Sequence, residues 1–258
     1  MRKTRVMLLM GAALALASPA LAEPIQVGFS GSPYGPYQTG VGGEFTLNDV
    51  HGIPADNWLD LSGYVPNKTS NFGPLGISSF QTFCIEVTEH IGAFDATYNA
   101  QINANAVYGV PSSTLNPLGD PVSVGTGWLY SRFARGVLSG YNYTGNRTVS
   151  AGLLQNAFWW LEQEGTAYDA SNPFMLAAYN TFGGEAGARA DGGAAFGVYA
   201  LNLWSGDGTT TPINRVQDQL YYNGLVSAAS VPDGGTTLTL LGMAVVGVAI
   251  VSRRLRRS

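Results

Sequence analysis

The chain has 258 residues, of which 12% are charged and 45% hydrophobic, and it holds 34 glycines. That composition excludes a disordered polyelectrolyte, which needs low hydrophobicity and high charge, and the length suits one or two domains. Seven of the thirteen basic residues sit at the two ends, leaving six against all seventeen acidic residues between Arg5 and Arg253, a net charge of −11 there; so acidic a body offers no basic surface for nucleic-acid phosphates.

Arg2, Lys3 and Arg5 open the chain, ahead of an apolar run from Val6 to Leu16 and an Ala20-Leu21-Ala22 pattern. This is the layout of a secretory signal over residues 1–22, with Ala20 and Ala22 as the small residues read at the cut. It predicts export through the Sec translocon. A permanent anchor at this end would need a longer apolar run.

Residues 23–230 read as one α+β domain, a β-sandwich or barrel with an inserted helical block. The stretches PIQVGFS, GEFTL and FQTFCIEVT have strand character and are separated by Gly- and Pro-rich turns. Alternation in the third puts Phe83, Ile85 and Val87 on one face and Thr82, Cys84 and Glu86 on the other. Helical spacing follows. Leu129, Phe133 and Val137 make one apolar stripe, and Leu154, Ala157, Phe158 and Leu161 make a second. A third helix is predicted from Asn172-Pro173 to Phe182, capped by Asn172 and stopped at Gly183. FGVYALNLW and QLYYNGLVSAA return to strand character.

The last segment, residues 231–258, carries no charge from Gly234 to Ser252 and then Arg253, Arg254, Arg256 and Arg257. At about 1.5 Å per residue that span matches a bilayer core, and it predicts a transmembrane helix with the arginines on the cytoplasmic side. Val231, Pro232, Asp233, Gly234 and Gly235 stand directly before it. Motif, apolar span and arginine cluster together resemble the PEP-CTERM class of sorting signals, in the VPDGG variant. The resemblance implies a Gram-negative-type bacterium and processing by an exosortase, an integral-membrane cysteine transpeptidase. It further implies passage through the inner membrane to the cell surface or extracellular matrix.

Cys84 is the one cysteine of an exported chain, so no internal disulfide is open to it. A small buried apolar residue, a disulfide to another molecule and a nucleophile are the alternatives. His51 and His90 are the histidines that a Cys–His hydrolase would use; an extended strand would carry His90 roughly 20 Å from Cys84, and His51 sits in a Gly-rich loop. No HExxH, CxxC or calcium-loop pattern occurs, so no metal or other cofactor is expected. The glycines of GVGGEF read as a turn, because no Lys-Ser/Thr follows them. Five tryptophans and thirteen tyrosines could line a carbohydrate face, although Trp159 and Trp160 on a helix are more often core.

Phe83-Cys84-Ile85-Glu86 and Gln155-Asn156-Ala157-Phe158-Trp159 resemble the two signature motifs of thioester domains from bacterial surface adhesins. In that family an aromatic-Cys-Ile-acid motif supplies a thiol and a Gln-x-Ala-aliphatic-Trp motif supplies a carboxamide. The resemblance implies that the Cys84 thiolate adds to the Gln155 carbonyl, expelling ammonia and leaving an S-acyl bond. Phe83, Ile85, Glu86, Ala157, Phe158 and Trp159 would support the motifs, and Trp159, four residues from Gln155, could shield the bond. The partner would be an amine on a surface protein or extracellular polymer. Lys68 is the single lysine between the two ends, which suits a chain that must not consume its own thioester. The expected function is thus single-turnover covalent attachment rather than enzymatic turnover. The alternative is a non-covalent structural or glycan-binding matrix protein.

Overall fold

In a computed structural model, residues 25–30, 37–39, 42–49, 59–72, 78–91, 96–108, 115–205 and 214–224 are described. The expected signal peptide with Ala20 and Ala22, the loop with His51, the VPDGG motif, the apolar span and the terminal arginines all lie outside the described residues. No helix among the described residues is long and apolar enough to cross a membrane.

The fold is α+β. Among the described residues, ten strands are formed by Ile25–Ser30 (β1), Tyr37–Thr39 (β2), Gly42–Asp49 (β3), Ser70–Phe72 (β4), Ser78–Thr82 (β5), Thr97–Asn103 (β6), Asn105–Tyr108 (β7), Leu115–Pro121 (β8), Val198–Ser205 (β9) and Arg215–Tyr222 (β10). Between β8 and β9 come the helices Val124–Ala134 (α1), Thr148–Leu161 (α2), Pro173–Thr181 (α3) and Glu185–Ala188 (α4). The main sheet runs β10-β9-β6-β1-β3-β5-β4, with β2 added to β3, while β7 and β8 pair separately. The pairings within the main sheet are antiparallel.

The strand path also returns to its start. Beyond β5 the chain meets β10: Leu220 N–H donates to Phe83 O at 3.0 Å, and Ile85 N–H donates to Asp218 O at 3.1 Å. Cys84 faces Gln219 across this short antiparallel bridge. The closure is of the kind a barrel has. It also corrects the expected strand FQTFCIEVT, which ends at Thr82. Phe83, Cys84, Ile85 and Glu86 are all buried, so no polar and apolar faces alternate. The physical reason is that the segment is covered by helices on one side and bonded to β10 on the other.

Helices α1 and α2 supply that cover. Phe83 meets Phe133 of α1 edge-on at 5.0 Å and Phe158 of α2 at 5.2 Å between ring centres, geometries that aromatic pairs prefer. Leu154, Ala157, Phe158 and Leu161 are fully buried, as the spacing predicts. The first stripe is shorter than expected. Helix α1 ends at Ala134, Gly136 turns the chain at a φ of 66°, and Val137 beyond it is exposed.

Helix α3 begins and stops where its capping residues say. Asn172 Oδ1 accepts from Phe174 N–H at 3.0 Å and from Met175 N–H at 3.4 Å, while its Nδ2 donates to Leu153 O of α2 at 2.8 Å. One side chain therefore caps α3 and ties it to α2. Asn172→Ala should lower unfolding free energy by roughly 1–2 kcal/mol, at the upper end because the tie to α2 is lost as well. Urea denaturation followed by tryptophan fluorescence checks this.

Candidate functional site

The bridge that closes the sheet brings Cys84 against α2. Gln155 and Trp159, one turn apart, face β3 and the Cys84 segment, while Leu154 and Phe158 face the core. The Gln155 carboxamide is paired to the Cys84 backbone through both ends. Cys84 N–H donates to Gln155 Oε1 at 3.1 Å, and Gln155 Nε2 donates to Cys84 O at 2.8 Å. A third bond comes from β3, where Gly43 N–H donates to the same Oε1 at 3.3 Å. Cys84 is fully buried and Gln155 is 1% exposed. The two residues singled out from the motifs, 71 positions apart, are thus direct neighbours.

The thiol itself is set among further amides. Cys84 Sγ donates to Gln217 Oε1 at 2.8 Å, and Gln219 Nε2 lies 3.6 Å from the sulfur. Strand β10 changes its register against β9 between Val216 and Gln219. Such a bulge re-aims side chains locally. Gln217 Nε2 also donates to Glu86 O at 2.7 Å, which fixes the bridge segment to β10. The described partners of the sulfur are Gln217 and Gln219, and His90 is exposed, while His51 lies outside the described residues.

Burial pushes the Cys84 thiol up to about 12, with the Glu86 and Glu89 charges pushing the same way against the Gln219 hydrogen bond. The sulfur is therefore a protonated thiol at neutral pH, which corrects the expected thiolate. Any acyl transfer from Gln155 must carry the thiol proton along.

The other motif residues are structural supports. Ile85, Ala157 and Phe158 are core. Trp159 is almost buried and closes over β3 at Gly42. Burial raises the Glu86 carboxyl well above its usual range, reinforced by Asp218 and Glu89. These three carboxylates have oxygens within 4.8 Å of one another. Arg215 supplies the positive charge beside them, with Nη2 2.7 Å from Asp218 Oδ2 and Nε 3.6 Å from Glu89 Oε1.

Gly42, Gly43, Gln217 and Gln219 are site residues that sequence reasoning missed. Gly42 and Gly43 of GVGGEF form the start of β3, and Gly40 lies outside the described residues. A second feature of β3 was also missed. Glu44 Oε1 pairs with Arg147 Nη1 at 2.6 Å, both side chains buried, and Tyr141 O–H donates to the other Glu44 oxygen. Arg147 stands at the start of α2, so β3 holds the helix at its first turn through Glu44 and in its middle through Gly43.

Glu162, at the end of α2, takes no part in this cluster. Its Oε1 accepts from Ser123 Oγ at 2.8 Å and Ser123 N–H at 3.2 Å, and Ser123 in turn caps α1. Burial pushes this carboxyl up to about 7 from 4.5. A raised folded-state value means that the stabilisation is complete below about 4.5 and is lost as pH rises through about 7. Glu162→Gln keeps an acceptor for Ser123 and removes the titration. The variant should flatten the fall of stability between pH 5 and 8 by up to about 3 kcal/mol. Guanidinium denaturation across that range checks it.

Residues 230–255 match the VPDSG-CTERM motif family, with Gly234 where the motif name has serine. The match identifies a PEP-CTERM-type sorting signal. With it comes an exported protein sorted by an exosortase to the cell surface or extracellular space. No curated protein and no solved structure matches the chain.

Proposed function

We propose that this exported protein attaches covalently to amines through an internal thioester between Cys84 and Gln155. The single observation that carries the reading is the buried, two-ended pairing of the Gln155 carboxamide with the Cys84 backbone. A primary amide is a poor acylating agent, and only a nucleophile held beside it in a site without water makes the reaction accessible. In the step itself, Cys84 Sγ bonds to Gln155 Cδ, the Cδ–Nε2 bond breaks, and Nε2 leaves as ammonia with the thiol proton. A primary amine on a partner protein or extracellular polymer then takes the acyl group. The products are an amide at Gln155 and a free Cys84 thiol. One bond forms per molecule, so the protein is spent rather than turned over.

The supporting context is an acidic chain with one lysine between its ends, Lys68, which is exposed beside Tyr143. Residues 23–230 form the attaching domain in this reading. Residues 1–22 and 231–258 route it through the Sec translocon and the inner membrane to the exosortase. A glycan-binding role draws less support, because Trp159, Trp160 and Trp204 are buried and Arg132 lies over the ring of Trp128.

The test is the intact mass of the full-length chain purified in detergent. It should fall one ammonia below the calculated value, and methylamine should then add to Gln155, located by peptide mapping. A chain of unaltered mass that takes up no methylamine would leave the non-covalent matrix protein as the reading. Label on Gln217, whose oxygen the thiol contacts, would move the bond to that residue.

A further inference from the structure

Strand β3 opens on two adjacent glycines, and each is glycine for its own reason. A Cβ at Gly42 would lie 2.7 Å from Gln155 Cγ and closer still to the Trp159 ring. Any side chain there would push α2 off the strand. Gly43 holds a φ of 150°, where an L side chain is strained. Its N–H, at 3.3 Å, and that of Cys84, at 3.1 Å, converge on Gln155 Oε1. Two backbone donors on one carbonyl oxygen, buried from water, are the arrangement that stabilises negative charge on that oxygen.

We propose that Gly43 N–H and Cys84 N–H form an oxyanion pocket for Gln155, and that Gly42 is the positioning residue that lets α2 reach it. The chemistry rests on the thioester reading, whereas the pocket can be tested without it. As Cys84 Sγ bonds to Gln155 Cδ, the thiol proton passes to Nε2 and the carbonyl π electrons move to Oε1, where the two N–H groups meet the charge. When the carbonyl re-forms, the Cδ–Nε2 bond breaks and ammonia leaves with the thiol proton. The pocket also explains how a protonated thiol can add at all. The two N–H groups stabilise the charge that develops on the oxygen while the thiol proton moves to the departing nitrogen.

Two measurements on the full-length chain test this. The first uses Cys84→Ala, which cannot form a thioester, and follows amide hydrogen exchange at Gly43. Adding Gln155→Ala should accelerate exchange at Gly43 by at least about tenfold, while Leu47 in the same strand keeps its rate. The second follows ammonia loss after refolding in Gly42→Ala and Gly43→Ala. Each should be slowed at least about tenfold with circular dichroism unchanged. If Gly42→Ala fails to fold, Gly43→Ala and the exchange experiment still decide the matter. Exchange at Gly43 that ignores Gln155, or wild-type ammonia loss in Gly43→Ala, overturns the pocket. Exchange that depends on Gln155 in a chain that never loses ammonia overturns the thioester reading and leaves the pocket geometry standing.

Discussion

Glu44→Ala should destabilise the protein by about 3–5 kcal/mol, because it strands a buried guanidinium. Arg147 is 2% exposed and Glu44 fully buried, and their closest atoms are 2.6 Å apart. Burial pushes Glu44 up to about 7, while Arg147 pulls it down. Besides the carboxylate, Arg147 meets the Tyr143 carbonyl, at 3.0 Å, and the face of Tyr37. Neither neutralises it. Glu44→Ala with Arg147→Met should recover most of the loss, since an apolar pair of similar volume avoids the desolvation of two ions. Equilibrium denaturation of the single and double variants measures both. A loss below about 1 kcal/mol in Glu44→Ala would mean that water reaches Arg147.

The ion pair matters for the site because of its place in the chain. Glu44 follows Gly43 directly, and Arg147 precedes Gln155 by two turns of α2. One contact sets the tilt and register of the helix, and the other uses them. Glu44→Ala in a chain that still folds should therefore slow ammonia loss as well. The double variant need not restore that rate, because packing fixes register less sharply than a charged bond with defined geometry.

What was legible in the sequence was local. The burial of α2 followed from the spacing of Leu154, Phe158 and Leu161, and α3 from an Asn-Pro start and a glycine stop. Cys84 and Gln155 were paired on short motifs, and the structure makes them neighbours. The partners of Cys84 were not. Gln217 and Gln219 lie at alternate positions of a strand, which is ordinary for a half-polar strand, and they reach the sulfur only because β10 closes the sheet more than 130 residues away. Gly42 and Gly43 were hidden for a related reason. A glycine pair read locally means a turn, whereas here the need comes from a helix more than a hundred residues on. The early end of β5 was equally non-local, since strand character in FCIEVT continues past the point where the chain changes partners. Arg147 carried one signal that could have been used. It is one of six basic residues between the two ends, and a rare arginine followed by an apolar helix is a candidate for burial.

Gln155→Glu separates the covalent reading from a purely structural one. Cys84→Ala and Gln155→Ala should each abolish the one-ammonia deficit, the first by removing the sulfur and the second the acyl group. Both changes also alter packing, so neither alone isolates the chemistry. Gln155→Glu keeps the shape and still offers one oxygen to Gly43 N–H and Cys84 N–H. It replaces the Nε2 donor, 2.8 Å from Cys84 O, with an oxygen that repels that carbonyl. Leaving a buried carbonyl without its donor costs about 1–3 kcal/mol, and the midpoint of thermal unfolding should fall accordingly. The carboxylate is also a worse electrophile than the amide, and loss of water from it in a buried pocket is uphill. The variant should therefore have its calculated mass and remain inert to methylamine, with a titratable Cys84 thiol on unfolding. A Gln155→Glu chain that forms the bond would place the driving force elsewhere than in the Gln155 amide. A wild-type chain whose thiol titrates fully on unfolding would show that the sulfur was never acylated.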